Sequence, residues 1–302
     1  MNFTIGQVTL AEALNNLNRN SNEKFEAYQN IQIEAINENT IRLMSDNGVN
    51  RLEYTLEARE VSGEPIMVNA RRFTDIVNKL KDIITFHDNI ILSGRTKIKL
   101  DYIKGTLINP IDTAEIENSK LNLSQFKNVV KNRLYAVEKN NEHSVISDML
   151  VNGNDIVATN GNVLSLGTLK EPIYKSFLLS QSLAKEIIAD FKDDETVNIA
   201  VENKKIIIWN NKLKIESNCK NGEYPKYKML IPQVEDNLIK VNKNELINKL
   251  DIMSIVVEYT KPIIKLVFCK NELTVEHKEG KTVMNIENYP NEEPFEIYFN
   301  IH

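Results

Sequence analysis

Apolar residues recur along this chain with two different periods, and the changes between the periods predict its elements. Leu10, Leu14 and Leu17 lie at helical spacing. In the stretch that follows, apolar residues occupy every second position between turns rich in Asn and Gly, which is typical of antiparallel strands. The predicted elements are a helix over 9–20, strands over 25–56, a helix over 69–80, and strands at 90–92 and 98–100.

The same order of elements then begins again twice. The second series is predicted as a helix over 123–137, strands over 145–166, a helix over 183–191, and hairpins turning near 203–204 and 210–211. The third series is predicted as a helix over 241–255 and hairpins turning at 270–271 and 279–280. Successive first helices begin roughly 114 and 119 residues apart, a spacing that indicates repeated domains and not a solenoid of short units.

This repetition predicts an α+β fold of similar domains, each with helices on one face of a sheet. We place the domains at residues 1–117, 118–236 and 237–302, with boundaries in polar segments near Asn118 and Glu235. The third series stops at 299–302, where its second helix would begin. We therefore expect an incomplete third domain, which is either natural or the result of fragmentation.

Composition narrows the class of protein. No apolar run in the 302 residues approaches the length of a membrane span, and the first residues do not begin a signal peptide. The two cysteines, Cys219 and Cys269, provide no disulfide framework, which fits the reducing cytoplasm. The net charge of −5 argues against a basic protein that coats nucleic acid, although a local basic face is compatible with it.

The chain has no set of residues that predicts catalysis, a metal site or a cofactor site. Its histidines, at 87, 143, 277 and 302, do not lie at metal-ligand spacing. Gly280-Lys281-Thr282 ends like a phosphate loop but lacks the first glycine of that motif, so we interpret it as a hairpin turn. Asp193-Asp194-Glu195 is interpreted as a solvated loop. These observations favour a binding or scaffolding protein over an enzyme.

Two apolar stretches are candidates for a binding groove. Residues 158–164 follow a predicted strand and turn at Asn160-Gly161. In residues 224–232, Pro225 and Pro232 flank apolar and aromatic residues, which predicts an ordered loop outside a sheet interior. The two stretches are either the walls of an apolar groove or two well-packed turns.

Basic residues cluster on two of the predicted helices. Lys127, Lys131 and Arg133 share one helix with no acid between them, and Arg71 and Arg72 share another with Lys79. Such clusters suit contact with a phosphate backbone without base readout. An ordinary solvated helix face has the same pattern.

With these motifs in order, the sequence resembles the bacterial sliding clamp, the beta subunit of DNA polymerase III. Residues 158–164, ATNGNVL, match the family's A-T-D-G-H-R-L, and residues 224–232 match its F-P-D-Y-x-x-x-L/I-P. Residues 68–80 resemble the second helix of the family's first domain, and Phe299-Asn300 resembles the F-N that opens the second helix of its third domain. The resemblance covers essentially the whole chain.

The resemblance implies a ring formed by a head-to-tail homodimer, with helices lining a hole through which double-stranded DNA passes. It implies a processivity factor for DNA replication that tethers the replicative DNA polymerase. The other implied partners are the clamp loader and repair proteins that carry clamp-binding peptides. The alternative is a clamp-fold interaction protein, or a fragment, that binds replication partners without closing a ring.

The resemblance also implies site residues. The partner-peptide groove would comprise Ile146, Thr159, Gly161, Asn162, Val163, Leu164, Pro225 and Leu230. Asn162-Val163 replaces the family's His-Arg, so a less basic groove is expected. The rest of the family's groove comes from the end of its third domain, so weakened peptide binding is also expected.

Two further sets of residues complete the expected sites. The candidates for the DNA-facing surface are Arg71, Arg72, Lys127, Lys131, Arg133, Lys185, Lys243 and Lys249. For the dimer interface, Ile98 and Leu100 match the edge strand of the first domain, and Ile255 and Val256 match the end of the facing helix. For Ile255, a place in the core of its own domain is the alternative.

Overall fold

The computed structural model describes residues 1–21, 24–141, 143–192, 195–232, 238–258 and 260–301. The chain divides into two compact units, Met1–Tyr227 and Lys228–His302. The division into three domains stays a prediction. Its first boundary lies within the first unit, and its second, at 236/237, lies outside the described residues, as do Asp193, Asp194, Glu235 and His302.

The first unit contains two series of helices and strands. The first series is β1 (Asn2–Gly6), α1 (Gln7–Asn20), β2 (Asn30–Asn37), β3 (Thr40–Asp46), β4 (Asn50–Glu57), β5 (Arg59–Ser62), β6 (Ile66–Asn69), α2 (Ala70–Lys79), β7 (Ile83–His87), β8 (Ile90–Ser93) and β9 (Thr96–Lys99). The second is β10 (Ser119–Asn122), α3 (Leu123–Lys131), β11 (Met149–Thr159), β12 (Leu164–Leu179), α4 (Gln181–Asp190), β13 (Thr196–Glu202), β14 (Lys205–Trp209) and β15 (Leu213–Asn218). We call them the first and second repeats.

The second unit contains one helix and one sheet in its described part. Its elements are β16 (Lys240–Val241), α5 (Lys243–Val256), β17 (Ile263–Cys269), β18 (Glu272–His277), β19 (Gly280–Glu287) and β20 (Phe295–Asn300). The strand order is β16-β19-β18-β17-β20. Within this order, β19-β18-β17-β20 has the same sequence of neighbours as β4-β3-β2-β6 in the first repeat.

Helix starts follow from a recurring cap. Asn69, Asn122 and Asn242 precede α2, α3 and α5, and each side chain accepts a hydrogen bond from the backbone N–H three residues on. Ser180 caps α4 in the same way through Leu183 N. Capping satisfies a backbone donor that the helix leaves free. The repeated cap explains why the predicted starts of these helices are close to the observed ones.

The predicted end of the third helix is wrong. The prediction ran to residue 137, but α3 ends at Lys131. Arg133 N donates to Val130 O, the tighter spacing of a 3-10 turn, and a separate 3-10 turn follows over Leu134–Ala136. The apolar residues of these turns continue the helical spacing, which is why the sequence pattern overextends the helix.

The two repeats of the first unit share one eight-stranded antiparallel sheet. Its order is β10-β13-β14-β15-β4-β3-β2-β6, so the repeats meet where β15 pairs with β4. The register runs from Leu213 opposite Tyr54 to Ser217 opposite Asn50. A second sheet, β5-β1-β7-β8-β9, completes the first repeat, and β11 pairs with β12 in the second. The predicted α+β class is confirmed.

The core of the first repeat contains an aromatic cluster between its helices and the second sheet. The rings of Phe3 and Phe86 stack with centroids 5.2 Å apart, and Phe73 of α2 meets Phe86 edge-on at 6.1 Å. All three side chains are fully buried. Phe86 therefore joins the sheet to α2 through contacts with both neighbouring rings.

We predict that Phe86→Ala lowers the free energy of unfolding by about 3–5 kcal/mol, because the substitution leaves a cavity between Phe3 and Phe73. Urea denaturation followed by circular dichroism measures this change. The matched control is Tyr174→Ala, at a side chain that is 75% exposed, where we expect a change within about 0.5 kcal/mol. Equal stability of the two variants would contradict the central role of the cluster.

Candidate binding surfaces

The turn between β11 and β12 forms the first candidate groove wall. Asn160 Oδ1 accepts hydrogen bonds from Asn162 N at 3.0 Å and Val163 N at 2.9 Å. Gly161 has a φ of +88°, in the left-handed region that favours glycine. The turn is therefore built by an acceptor side chain followed by glycine, which leaves Asn162 and Val163 exposed and Leu164 half-buried.

Two tyrosines fasten the second stretch against β11. Tyr227 Oη donates to Asp155 Oδ2 at 2.6 Å, and Tyr224 Oη donates to Val157 O at 3.4 Å. Burial raises the pKa of the Tyr224 hydroxyl to about 12, so this donor keeps its proton at neutral pH. The structure thus brings residues 224–227 beside the strand that leads into the first stretch, with Pro225 exposed.

The remaining groove candidates occupy different environments. Thr159 is buried, and its Oγ1 accepts from Gly161 N at 3.1 Å, so it supports the turn. Ile146 is half-buried in a 3-10 turn over Val145–Ser147. Leu230 belongs to the second unit and is 66% exposed. The assignment of these residues to a peptide groove stays a prediction.

Arg133 is engaged with backbone carbonyls. Its Nη1 donates to Val129 O at 2.6 Å, and its Nη2 donates to Leu166 O on β12 at 2.8 Å. A Cβ at Gly167 would collide with the Arg133 guanidinium, so glycine makes room for this contact. Burial lowers the pKa of Arg133. Arg133 is thus a structural link between α3 and β12; its side chain is half-buried, and its assignment to the DNA-facing surface stays a prediction.

Lys127 also departs from its predicted role. It is only 7% exposed, and its Nζ donates to Phe191 O at the end of α4. A buried ammonium group that holds a carbonyl is not presented to a polyanion outside the protein. The helical spacing placed Lys127 on the same face as Lys131, but the approach of α4 covers that position.

The other cations of these helices are exposed. In the first unit, the exposed charged residues on the four helices are the cations Arg19, Arg71, Arg72, Lys79, Lys131 and Lys185 and the acids Glu12 and Asp75. On α5, Lys243 is exposed and Lys249 is half-buried, among the exposed acids Glu245 and Asp251. The helix surfaces of the first unit therefore carry a positive excess, although the whole chain has a net charge of −5.

A cavity of about 740 Å³, broadly open to solvent, lies between α2 and the edge strand β9. Its lining combines apolar and basic side chains: Asn69, Arg71, Arg72, Asp75, Ile76, Lys79, Leu80, Thr96 and Ile98. Ile98, a predicted interface residue, contributes to its wall. Ile76 and Leu80 also line it, and neither is among the site residues predicted from the sequence.

The other predicted interface residues differ in exposure. Leu100 is 1% exposed in the core of the first unit, which corrects its assignment to the interface. Val256 is half-buried beside the cluster around Met253, so its assignment to the interface stays a prediction. Ile255 is 83% exposed, which removes the alternative of a place in its own domain core.

Neither a metal cluster nor a membrane-spanning helix occurs among the described residues. No three His, Cys, Asp or Glu side chains lie together as ligands of a metal ion would. None of the described helices combines the length and the apolar character that a membrane crossing requires.

Comparison with known proteins identifies the fold through structure alone. No model of a known protein family matches the sequence. No curated protein matches it either. Among solved structures, the DNA polymerase III subunit beta from Pseudomonas aeruginosa matches with a TM-score of 0.88 at 18% identity, over 100% of this chain and 88% of that chain.

Other clamps give similar values. The DNA polymerase sliding clamp from Bacillus subtilis matches with a TM-score of 0.82 at 20% identity, over 100% of this chain and 87% of that chain. The Helicobacter pylori beta clamp bound to a DNA ligase peptide matches with a TM-score of 0.86 at 20% identity, over 100% of this chain and 88% of that chain. The resemblance inferred from the sequence motifs is thus confirmed at the level of the fold. This chain has the sliding-clamp fold, the fold of the bacterial DNA polymerase III beta subunit.

Proposed function

We propose that this protein is a DNA sliding clamp: a cytoplasmic processivity factor that encircles double-stranded DNA and tethers the replicative DNA polymerase during replication. The observation that carries the proposal is the combination of the clamp fold with the positive excess on the helices of the first unit. A ring that surrounds DNA needs only weak, screened and sequence-independent contacts with phosphates. Exposed Arg and Lys side chains on helices supply such contacts.

Ring closure is proposed from the way in which the two repeats already join. In the first unit, β15 of the second repeat pairs with the outer edge of β4. The last strand of the first repeat, β9, lies at the edge of its sheet, and β19 of the second unit is the counterpart of β4 in strand order. The two-residue strand β16 pairs with Ile286 and Glu287 at the end of β19 and leaves the rest of that edge uncovered. Pairing of β9 in one protomer with β19 in another would repeat the β15–β4 junction head to tail and cover an exposed strand edge.

The side chains near these strands support the same arrangement. The cavity beside β9 has apolar walls formed by Ile76, Leu80 and Ile98. The exposed Ile255 of α5 has the size and apolar character to fill part of that cavity in a second protomer. Burial of exposed apolar surface favours association. We therefore propose Ile98, Ile255 and Val256 as interface residues, whereas Leu100 belongs to the core of the first unit.

The groove is proposed as the site for partner proteins. The turn at 160–163 and the loop at 224–227 present Val163, Leu164 and Pro225 on one part of the first unit. The Helicobacter pylori clamp, which has the same fold, was solved with a DNA ligase peptide. We propose that clamp-binding peptides of the polymerase, the clamp loader and repair proteins place apolar anchors against these residues.

The first prediction from this proposal concerns whether the protein encircles DNA. We expect the protein, once loaded by its clamp loader, to remain on closed circular DNA and to leave when a restriction enzyme opens the circle. Gel filtration of labelled protein with plasmid DNA measures the retained fraction. Equal release from closed and linear DNA of the same length would contradict encirclement and favour a clamp-fold protein that binds partners without closing a ring.

The second prediction concerns the groove. We expect Leu164→Asp to weaken binding of a labelled clamp-binding peptide by roughly 30-fold or more, because it places a charge at an apolar anchor site. Fluorescence anisotropy measures the affinity. The control is Tyr174→Asp, at an exposed position of the same strand. Unchanged affinity of the Leu164 variant would move the peptide site elsewhere.

The third prediction concerns association. We expect light scattering to give a mass near twice 34.7 kDa for the wild type and near 34.7 kDa for Ile98→Asp, since the substitution puts a carboxylate in the cavity wall. Ile83→Asp, an exposed position on β7 of the same sheet, should remain dimeric. A dimer that tolerates Ile98→Asp would place the interface on other strands.

A further inference from the structure

The connection between the two repeats is an extended segment that crosses their shared sheet. Residues 101–113 contain no helix or strand. Ile103 N donates to Met67 O of β6 at 2.8 Å. Ile108 exchanges two hydrogen bonds with the side-chain amide of Gln32 on β2, at 2.6 and 3.2 Å. The chain thus moves inward from the edge of the sheet; we call residues 103–111 the linker strap.

The strap then passes over the junction of the repeats. Asn109 O accepts from Arg51 Nη1 of β4 at 3.2 Å. Ile111 N donates to Glu53 Oε2 of β4 at 2.7 Å, and Ile111 O accepts from Lys214 Nζ of β15 at 2.8 Å. The contacts follow the order β6, β2, β4 and β15 across the sheet. The strap is therefore bound to both repeats and ends on the strand pair that joins them.

Glu53 is the centre of these contacts. Its side chain is completely buried, with Arg42 Nε and Lys214 Nζ each 3.2 Å from Oε1. Arg42 comes from the first repeat and Lys214 from the second. A buried carboxylate is stable only when it is paired and hydrogen-bonded. One carboxylate thus holds a cation from each repeat and the backbone of the strap.

Polar contacts also hold the helical side of the same junction. Asn50 Nδ2 of β4 donates to Ser182 Oγ and to Glu186 Oε1 of α4, both at 2.8 Å. Arg19 of α1 forms an ion pair with Asp190 of α4. The pairing of β15 with β4 therefore has side-chain contacts on both faces, and the strap with Glu53 forms those on the face away from the helices.

We propose that Glu53 is a positioning residue that fixes the linker strap to the sheet and thereby sets the angle between the two repeats. A single antiparallel strand pair allows twist and bending about its axis. A strap that crosses the pair and is held from both strands opposes that motion. The proposal concerns the geometry of the fold and is independent of whether the protein encircles DNA.

The test is Glu53→Gln in the full-length chain, which keeps the shape of the side chain and removes its charge. We expect amide hydrogens in 103–111 to exchange at least about ten-fold faster by mass spectrometry, because the strap opens locally. We also expect a broader distance distribution between spin labels attached at Asn39→Cys and Glu202→Cys, two exposed positions in the first and second repeats. The labelled protein also carries Cys219→Ser and Cys269→Ser, so that only the two introduced thiols react.

Matched variants separate the proposal from a general loss of stability. Glu57→Gln, at the exposed end of the same strand, should change neither measurement. Lys214→Met removes the cation of the second repeat from a partly exposed position and should reproduce both effects. If Glu53→Gln does not fold, the Lys214→Met variant by itself tests the proposal. Faster exchange with an unchanged distance distribution would overturn the proposal, as would no change in either measurement.

Discussion

The pairing of β15 with β4 is the interaction on which the rest of the first unit depends. A strand at the edge of a sheet presents free backbone donors and acceptors, and proteins must cover them. Here two repeats cover each other's edges and build one sheet of eight strands. Helices then occupy one side of this sheet, and the linker strap crosses the other. The same rule supports the proposed pairing of β9, which lies at the edge of its sheet, with the part of β19 that the short strand β16 leaves uncovered.

Charge is distributed in a way that suits this arrangement. Acidic residues outnumber basic ones in the chain as a whole, while the exposed charged residues on the helices of the first unit are mainly basic. Several cations that a charge count would assign to a binding surface form contacts within the fold. Lys127 holds the end of α4, Arg133 holds β12, and Lys214 pairs with Glu53. The net charge therefore does not indicate where a polyanion would bind this protein. The distribution of exposed charged side chains is the better indicator.

Much of the fold can be predicted from local signals. The Asn caps before α2, α3 and α5 and the helical spacing of the apolar residues locate the starts of these helices to within a few residues. The strands follow from alternation and from turns such as Asn160-Gly161. These features depend on neighbours in the chain, so a single sequence contains them. The motifs at 158–164 and 224–232 carried the resemblance because each encodes a complete local structure.

What could not be predicted depends on distant parts of the chain. The burial of Lys127 is caused by α4, and the role of Arg133 depends on the missing side chain at Gly167. Leu100 alternates correctly for an edge strand, yet it follows the last residue of β9 and turns into the core. Alternation states which residues share a face, but it does not state which face is covered by the protein itself. That distinction separates the buried Leu100 from Ile98, and it decides which apolar residues are available for the proposed interface.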